Sequence, residues 1–157
     1  MKPTPTPKGG VVEAISISAG GIPKIPVDRA EVTSTGLVGD GRAHAKHVKP
    51  ERSVSLLDGE ILDQLAREGY SVGPGVLGEN LTVRELDLQT RAIGDRLCFA
   101  GGVVLELTEP RKPCYVLDAL DPRLKTETVG RIGWLARVIT AGVLKPGESV
   151  SVVSLHL

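Results

Sequence analysis

Arg96-Leu97-Cys98-Phe99-Ala100-Gly101-Gly102-Val103-Val104-Leu105-Glu106-Leu107-Thr108 is a pair of apolar runs around two adjacent glycines. Each run has the length of a strand, and Gly101-Gly102 suits a tight two-residue hairpin connection. Val103, Leu105 and Leu107 recur at every second position, so one face of the second arm is expected to be buried. Working outward, further short runs repeat the pattern. Val11–Ser18, Arg29–Thr35, Arg52–Leu57, Asn80–Val83, Trp134–Thr140 and Ser149–Leu155 read as strands, with Gly36 stopping the second of these and Gly142 and Pro146-Gly147 turning between the last two. The reading is mainly β, and many short strands at this spacing predict a barrel or a sandwich.

One helix interrupts the strands. Asp58 is placed to cap it, Glu60 suits the positive first turn, and Gly69 ends it. Ile61, Leu62 and Leu65 form its packing face. Tyr115–Val129 is broken by Asp118, Asp121 and Pro122 and reads as short helical turns. At 157 residues with no internal repeat or linker, the chain is expected to be one domain over residues 11–157, after a flexible tail at 1–10.

Composition narrows the function classes. A net charge of zero and 3% aromatic residues argue against a nucleic-acid surface. No apolar run reaches membrane-spanning length, and Met1–Gly10 lacks the apolar stretch of a secretory signal. A cytoplasmic protein is expected, with both cysteines reduced.

The strongest candidate for chemistry follows the second hairpin arm. Glu109-Pro110-Arg111-Lys112-Pro113-Cys114 places a thiol in a turn bracketed by prolines. Proline fixes its own φ and extends the residue before it, so the turn is stiff. Arg111 and Lys112 favour thiolate, the form that attacks sulfur or binds a soft metal. The competing reading of Cys114 is a small buried hydrophobe. Cys98 lies in an apolar run without charge or proline beside it and is expected in the core.

Two glycine-rich stretches, Gly36-Leu37-Val38-Gly39-Asp40 and Gly73-Pro74-Gly75-Val76-Leu77-Gly78-Glu79-Asn80, are either plain turns or backbone that approaches an anion. Neither matches a phosphate-loop or dinucleotide pattern. Arg42, His44, Lys46, His47, Lys49 and Arg52 form a solvated face or the wall of an anion pocket. His44 and His47 alone leave a tetrahedral zinc site incomplete.

In order and spacing, Gly21-Ile22-Pro23-Lys24, Gly36-Leu37-Val38-Gly39-Asp40, Lys46-His47, Arg52-Ser53-Val54, Gly78-Glu79-Asn80-Leu81, Arg111-Lys112-Pro113-Cys114 and Gly133-Trp134-Leu135-Ala136-Arg137-Val138 resemble the MOSC domain, named for the C-terminal part of molybdenum cofactor sulfurase. The resemblance runs from about Val11 to Val152. It implies a β-barrel of short mixed strands with a few short helices. It implies that Cys114 is the functional cysteine, either a ligand to the molybdenum of a pterin cofactor in a reductase of N-hydroxylated compounds, or a persulfide sulfur carrier. Lys24, Asp40, Lys46, His47, Arg52, Glu79, Asn80, Arg111 and Arg137 would then line the cofactor site. The cations among them would hold the cofactor's phosphate. Pyridoxal phosphate binding attaches to the family only as a general label. After Lys46-His47 the chain reads Val48-Lys49-Pro50-Glu51, where relatives often have another histidine and paired glycines. No reductase or ferredoxin-like part is seen in the sequence. A separate electron-donor or sulfur-donor protein is therefore expected to act with a small-molecule substrate. A non-catalytic cofactor-binding module is the third reading.

Overall fold

The computed structural model describes residues 9–41 and 49–154. The strands are β1 (Gly10–Ile17), β2 (Ile25–Val27), β3 (Ala30–Thr33), β4 (Gly36–Leu37), β5 (Val54–Asp58), β6 (Leu81–Arg84), β7 (Arg96–Phe99), β8 (Val104–Pro110), β9 (Trp134–Thr140), β10 (Gly142–Leu144) and β11 (Ser149–Val153). Helix α1 spans Gly59–Arg67 and the short α2 spans Leu124–Glu127. The main sheet runs β11-β7-β8-β9-β5-β6-β1-β2, and β11 also pairs with β1. Seven strands therefore close on themselves as a barrel, with β2 attached outside. Only β5 and β6 are parallel among these pairs. Parallel neighbours need a crossover, and α1 lies in it. A small second sheet has the order β10-β3-β4.

The barrel interior is filled by alternating apolar residues, among them Val12, Ile15, Val54, Leu56, Leu81, Val83, Leu97, Leu105 and Leu107. The face expected on the second hairpin arm is buried as the alternation requires, with Val103, Leu105 and Leu107 fully enclosed. A second apolar cluster lies under α1, where Ile61, Leu62 and Leu65 meet Leu57, Leu77, Leu117, Leu124 and Ile132. β5 serves both clusters. Leu56 points into the barrel and Leu57 points out of it to α1, so the whole strand is buried.

Several local expectations change. The hairpin after β7 has three residues in its turn rather than two: Cys98 pairs with Val104, and the Phe99 amide donates to the Val103 carbonyl. Gly102, at φ +106°, accepts the left-handed position that such a turn requires. Gly36 does not merely stop β3 but begins β4, and Gly142 lies in β10 rather than in a turn. Arg52 belongs to a 3-10 turn, Pro50–Arg52, ahead of β5. Asp58 stands at the α1 N-cap without a side-chain cap bond. Its carboxylate accepts from the Leu88 amide at 3.0 and 3.1 Å instead. Gly10, assigned to the tail, opens β1. Cys98 is half-buried and not in the core: Leu97 and Phe99 point inward, so the pleat turns Cys98 to the other face. No described helix is long and apolar enough to cross a membrane.

Candidate functional site

Polar residues gather where the loops meet outside β5, β1 and β9. Ser55 and Leu135 face each other across β5 and β9. With Lys24, Arg52, Asn80 and Arg111 they line a cavity of about 310 Å³. Arg52, Arg111 and Leu135 also line an adjoining hollow of about 260 Å³, together with Glu109, Pro110 and Lys112. Three cations thus border one small cavity, and the segment that leads to Cys114 forms part of its wall.

Asn80 is the hub. Its Oδ1 accepts from the Ser55 amide at 3.1 Å and the Ser55 hydroxyl at 3.2 Å. Its Nδ2 donates to the Ser16 carbonyl at 3.2 Å and to Asp40 Oδ2 at 3.0 Å. A side-chain amide has two acceptor and two donor positions, and all four are used within the protein. Asp40 is held by the Ser18 amide at 3.1 Å and by Lys24 Nζ at 3.0 and 2.8 Å. The sequence-distant β1, the loop after β4 and the Lys24 loop are therefore tied together through one amide.

Glu79 and Arg111 form a second polar group beneath the first. Glu79 is fully buried, and its Oε2 accepts from the Gly75 amide at 3.0 Å and the Thr82 hydroxyl at 2.8 Å. Its Oε1 has no partner. Arg111 leaves the end of β8, where its amide still donates to the Gly133 carbonyl at 2.9 Å. Its Nη2 donates to the Leu77 carbonyl at 2.5 Å, while Nη1 is buried without a partner. Gly78 makes this possible: a Cβ there would meet Nη2 at 2.9 Å, and its φ of +92° already favours glycine. Burial pushes the Glu79 carboxyl up, opposed by its hydrogen bonds and by the charge of Arg111. Burial likewise lowers Arg111, and the charges of Glu79 and Cys114 oppose it. Each charged form is thus supported by the other.

Cys114 is exposed, in extended backbone, just before the 3-10 turn Tyr115–Ala119. It is reached by the electrostatic field of Arg111. An accessible thiol next to a cation-lined cavity suits soft-metal ligation or sulfur transfer, with an oxyanion held alongside.

Of the residues expected at the site, Lys24, Asp40, Arg52, Asn80 and Arg111 converge at the first cavity, either lining it or bonded to its wall. Glu79 supports it from below. Arg137 lies two residues beyond Leu135 on β9, exposed, opposite Glu106, and lines neither hollow. Lys46 and His47 lie outside the described residues. Four amides of the 73–80 loop are used within the protein: Gly75 donates to Glu79, Val76 to Gly73, Gly78 to Gly75, and Asn80 to Ser55. This favours the turn reading of that stretch. Ser55 and Leu135 were not among the expected residues. The only signal for Ser55 was a hydroxyl inside an otherwise apolar strand.

A family model for the MOSC domain matches residues 43–151. The chain belongs to the MOSC domain family. It is 31% identical over 174 residues to a protein named "Reductase" from Gibberella moniliformis, covering 95% of this chain and 30% of that protein. It is 32% identical over 144 residues to Protein YiiM of Escherichia coli, covering 85% of this chain and 63% of YiiM. The chain therefore spans less than two thirds of the length of either relative. Among solved structures, YiiM from Escherichia coli superposes with a TM-score of 0.70 at 27% identity, covering 94% of this chain and 71% of that one. The YUAD protein from Bacillus subtilis superposes with a TM-score of 0.77 at 20% identity, covering 92% and 96%, which shows a shared fold.

Proposed function

We propose that this MOSC protein binds a molybdenum-pterin cofactor at the cation-lined cavity, with Cys114 as the metal ligand, and reduces N-hydroxylated small molecules. The observation that carries the reading is the junction at Arg111: one residue lines the cavity, and an exposed thiol follows it after Lys112 and Pro113. The buried donor left unpartnered on Arg111 fits a pocket built for an anionic group. Arg111, Arg52 and Lys24 would hold the phosphate of the cofactor, and Cys114 would supply the soft ligand. Asp40 and Asn80 fix Lys24 in place, and Glu79 supports Arg111. When bound, the group supplies two-electron redox chemistry. In the reaction the N–O bond of a hydroxylamine breaks, and two electrons and two protons leave an amine and water. The electrons come from a separate donor protein. The small cavity and the accessible thiol suit modified bases or simple hydroxylamines.

The exposure of Cys114 also favours a second reading, a sulfur carrier. A donor persulfide would pass its outer sulfur to the Cys114 thiolate and leave as a thiol, so that one S–S bond breaks as another forms.

The test is molybdenum content per chain in protein purified from a host that makes the cofactor, with Cys114→Ser in parallel. Near-stoichiometric metal lost in the variant, with donor-dependent turnover of an N-hydroxylated base, is the expected result. No metal in either, with a wild-type mass increased by one sulfur, would replace the reductase reading with the carrier.

A further inference from the structure

Glu79 is an anomaly. It is a fully enclosed carboxylate in the buried segment that leads into β6, and one of its oxygens bonds to nothing. Gly75, Thr82 and the barrel wall surround it. Among the described residues, the charged group acting on it is Arg111. The two are not in direct contact, and each keeps one buried polar atom without a partner. Ser16 of β1, packed against Gly75, adds a hydroxyl as a third unpartnered polar atom. A carboxylate at this depth can be ionised only where a cation compensates it. Arg111 is also a wall of the cavity. Any anion seated there draws on the same positive charge.

We propose that Glu79 is the internal counter-ion of Arg111 and takes up one proton when an oxyanion enters the cavity, so that anion binding and Glu79 protonation are linked. This rests on the reading that the cavity holds an anionic group, and it adds a proton-accepting residue that does not touch the ligand. The charge balance is simple. Empty, the site pairs Glu79 with Arg111. Filled, Arg111 is paired with the ligand, and burial favours the neutral carboxylic acid at Glu79. Linkage is reciprocal, so a proton on Glu79 strengthens anion binding by the same factor. Lys24 brings its own counter-ion to the cavity, since Asp40 grips it with both oxygens, so its charge does not enter the Glu79–Arg111 balance.

Sulfate is the probe, since its own charge does not change across the range. Its Kd is measured between about pH 5 and pH 9, and the expected weakening in the wild type approaches tenfold per pH unit over part of that range. Glu79→Gln removes the slope. A flat wild-type profile, no sulfate binding, or the same slope in Glu79→Gln overturns the proposal; the last would put the proton elsewhere. If Glu79→Gln does not fold, infrared difference spectra of the wild type decide the matter. Sulfate addition should produce a carboxylic-acid C=O band, and its absence overturns the linkage. Cys114→Ser keeps this behaviour while testing the metal, so the two readings fail independently.

Discussion

Ser55 and Asp58, three residues apart on β5, line two hollows of opposite charge. The Asp58 hollow is the larger, at about 400 Å³, and Glu60, Glu85 and Asp87 join Asp58 in its wall. Two of its four acids are committed to the backbone: Asp58 accepts from the Leu88 amide, and Glu60 accepts from the Glu85 amide at 2.9 Å. They hold a loop in which Glu85 and Asp87 adopt left-handed backbone, at φ +63° and +48°. Among the described residues, no group of three or more acids, cysteines or histidines is arranged to hold a metal. The Ser55 hollow is smaller, but Arg111 in its wall carries a buried donor that bonds to nothing, and an exposed thiol follows Arg111 after Lys112 and Pro113. Size does not select the site here. Unused hydrogen-bonding capacity does, because a buried unpartnered donor or acceptor costs free energy unless a ligand or water meets it.

The largest test of this contrast is Arg111→Met. It leaves Glu79 buried without its cation, and breaking such a pair costs about 3 kcal/mol. Urea denaturation should show that loss, and it should shrink at acid pH as Glu79 protonates. A cost below about 1 kcal/mol would mean that Glu79 is not ionised beside Arg111. Asn80→Ala comes next, with a loss of about 2 kcal/mol from stranding the Ser55 amide, the Ser16 carbonyl and Asp40. Gly78→Ala should cost about 1–2 kcal/mol through its left-handed backbone and the displaced guanidinium, and weaken anion binding as well. A loss of stability alone would separate Gly78 from the site.

The smallest effect has the opposite sign. Burial, with Glu60 and Asp87 nearby, pushes the Asp58 carboxyl up to about 6 from an ordinary value of 3.8. Between those values the folded protein holds a proton that the unfolded chain has released. Stability from this group therefore falls as pH rises through that window and stays lower above it. Asp58→Asn should remove that dependence and raise stability at neutral pH by about 1 kcal/mol, while leaving metal content and sulfate binding unchanged. A change in either would make the acidic hollow part of the site.

Much of the barrel was legible because period-two burial is written directly into β8 and the residue before it, where Val103, Leu105 and Leu107 mark the inner face. The turn after Phe99 was misjudged by one residue, since a pair of glycines does not say which of them takes the left-handed position. Asp58 was misread because cap chemistry is local in sequence, whereas its true partner, Leu88, lies 30 positions away. Cys98 was placed inside because its neighbours are apolar, but apolar neighbours on a strand point to the opposite face. The site shows the same division. Lys24, Arg52, Asn80 and Arg111 were named from motif order, yet nothing local to Ser55 or Leu135 reveals that they face one another across two strands.

By itself, the sequence determined which residue types were available: strands by alternation, one amphipathic helix, and a thiol in a stiff turn after two cations. These follow from short-range sterics and periodic burial. Tertiary structure decided closure through the β11–β1 pairing, the two-sided burial of β5, and the enclosure of Glu79 beneath Arg111. Those depend on contacts between distant segments. The field and solvation of a charged group are set by what is packed around it, not by its neighbours along the chain.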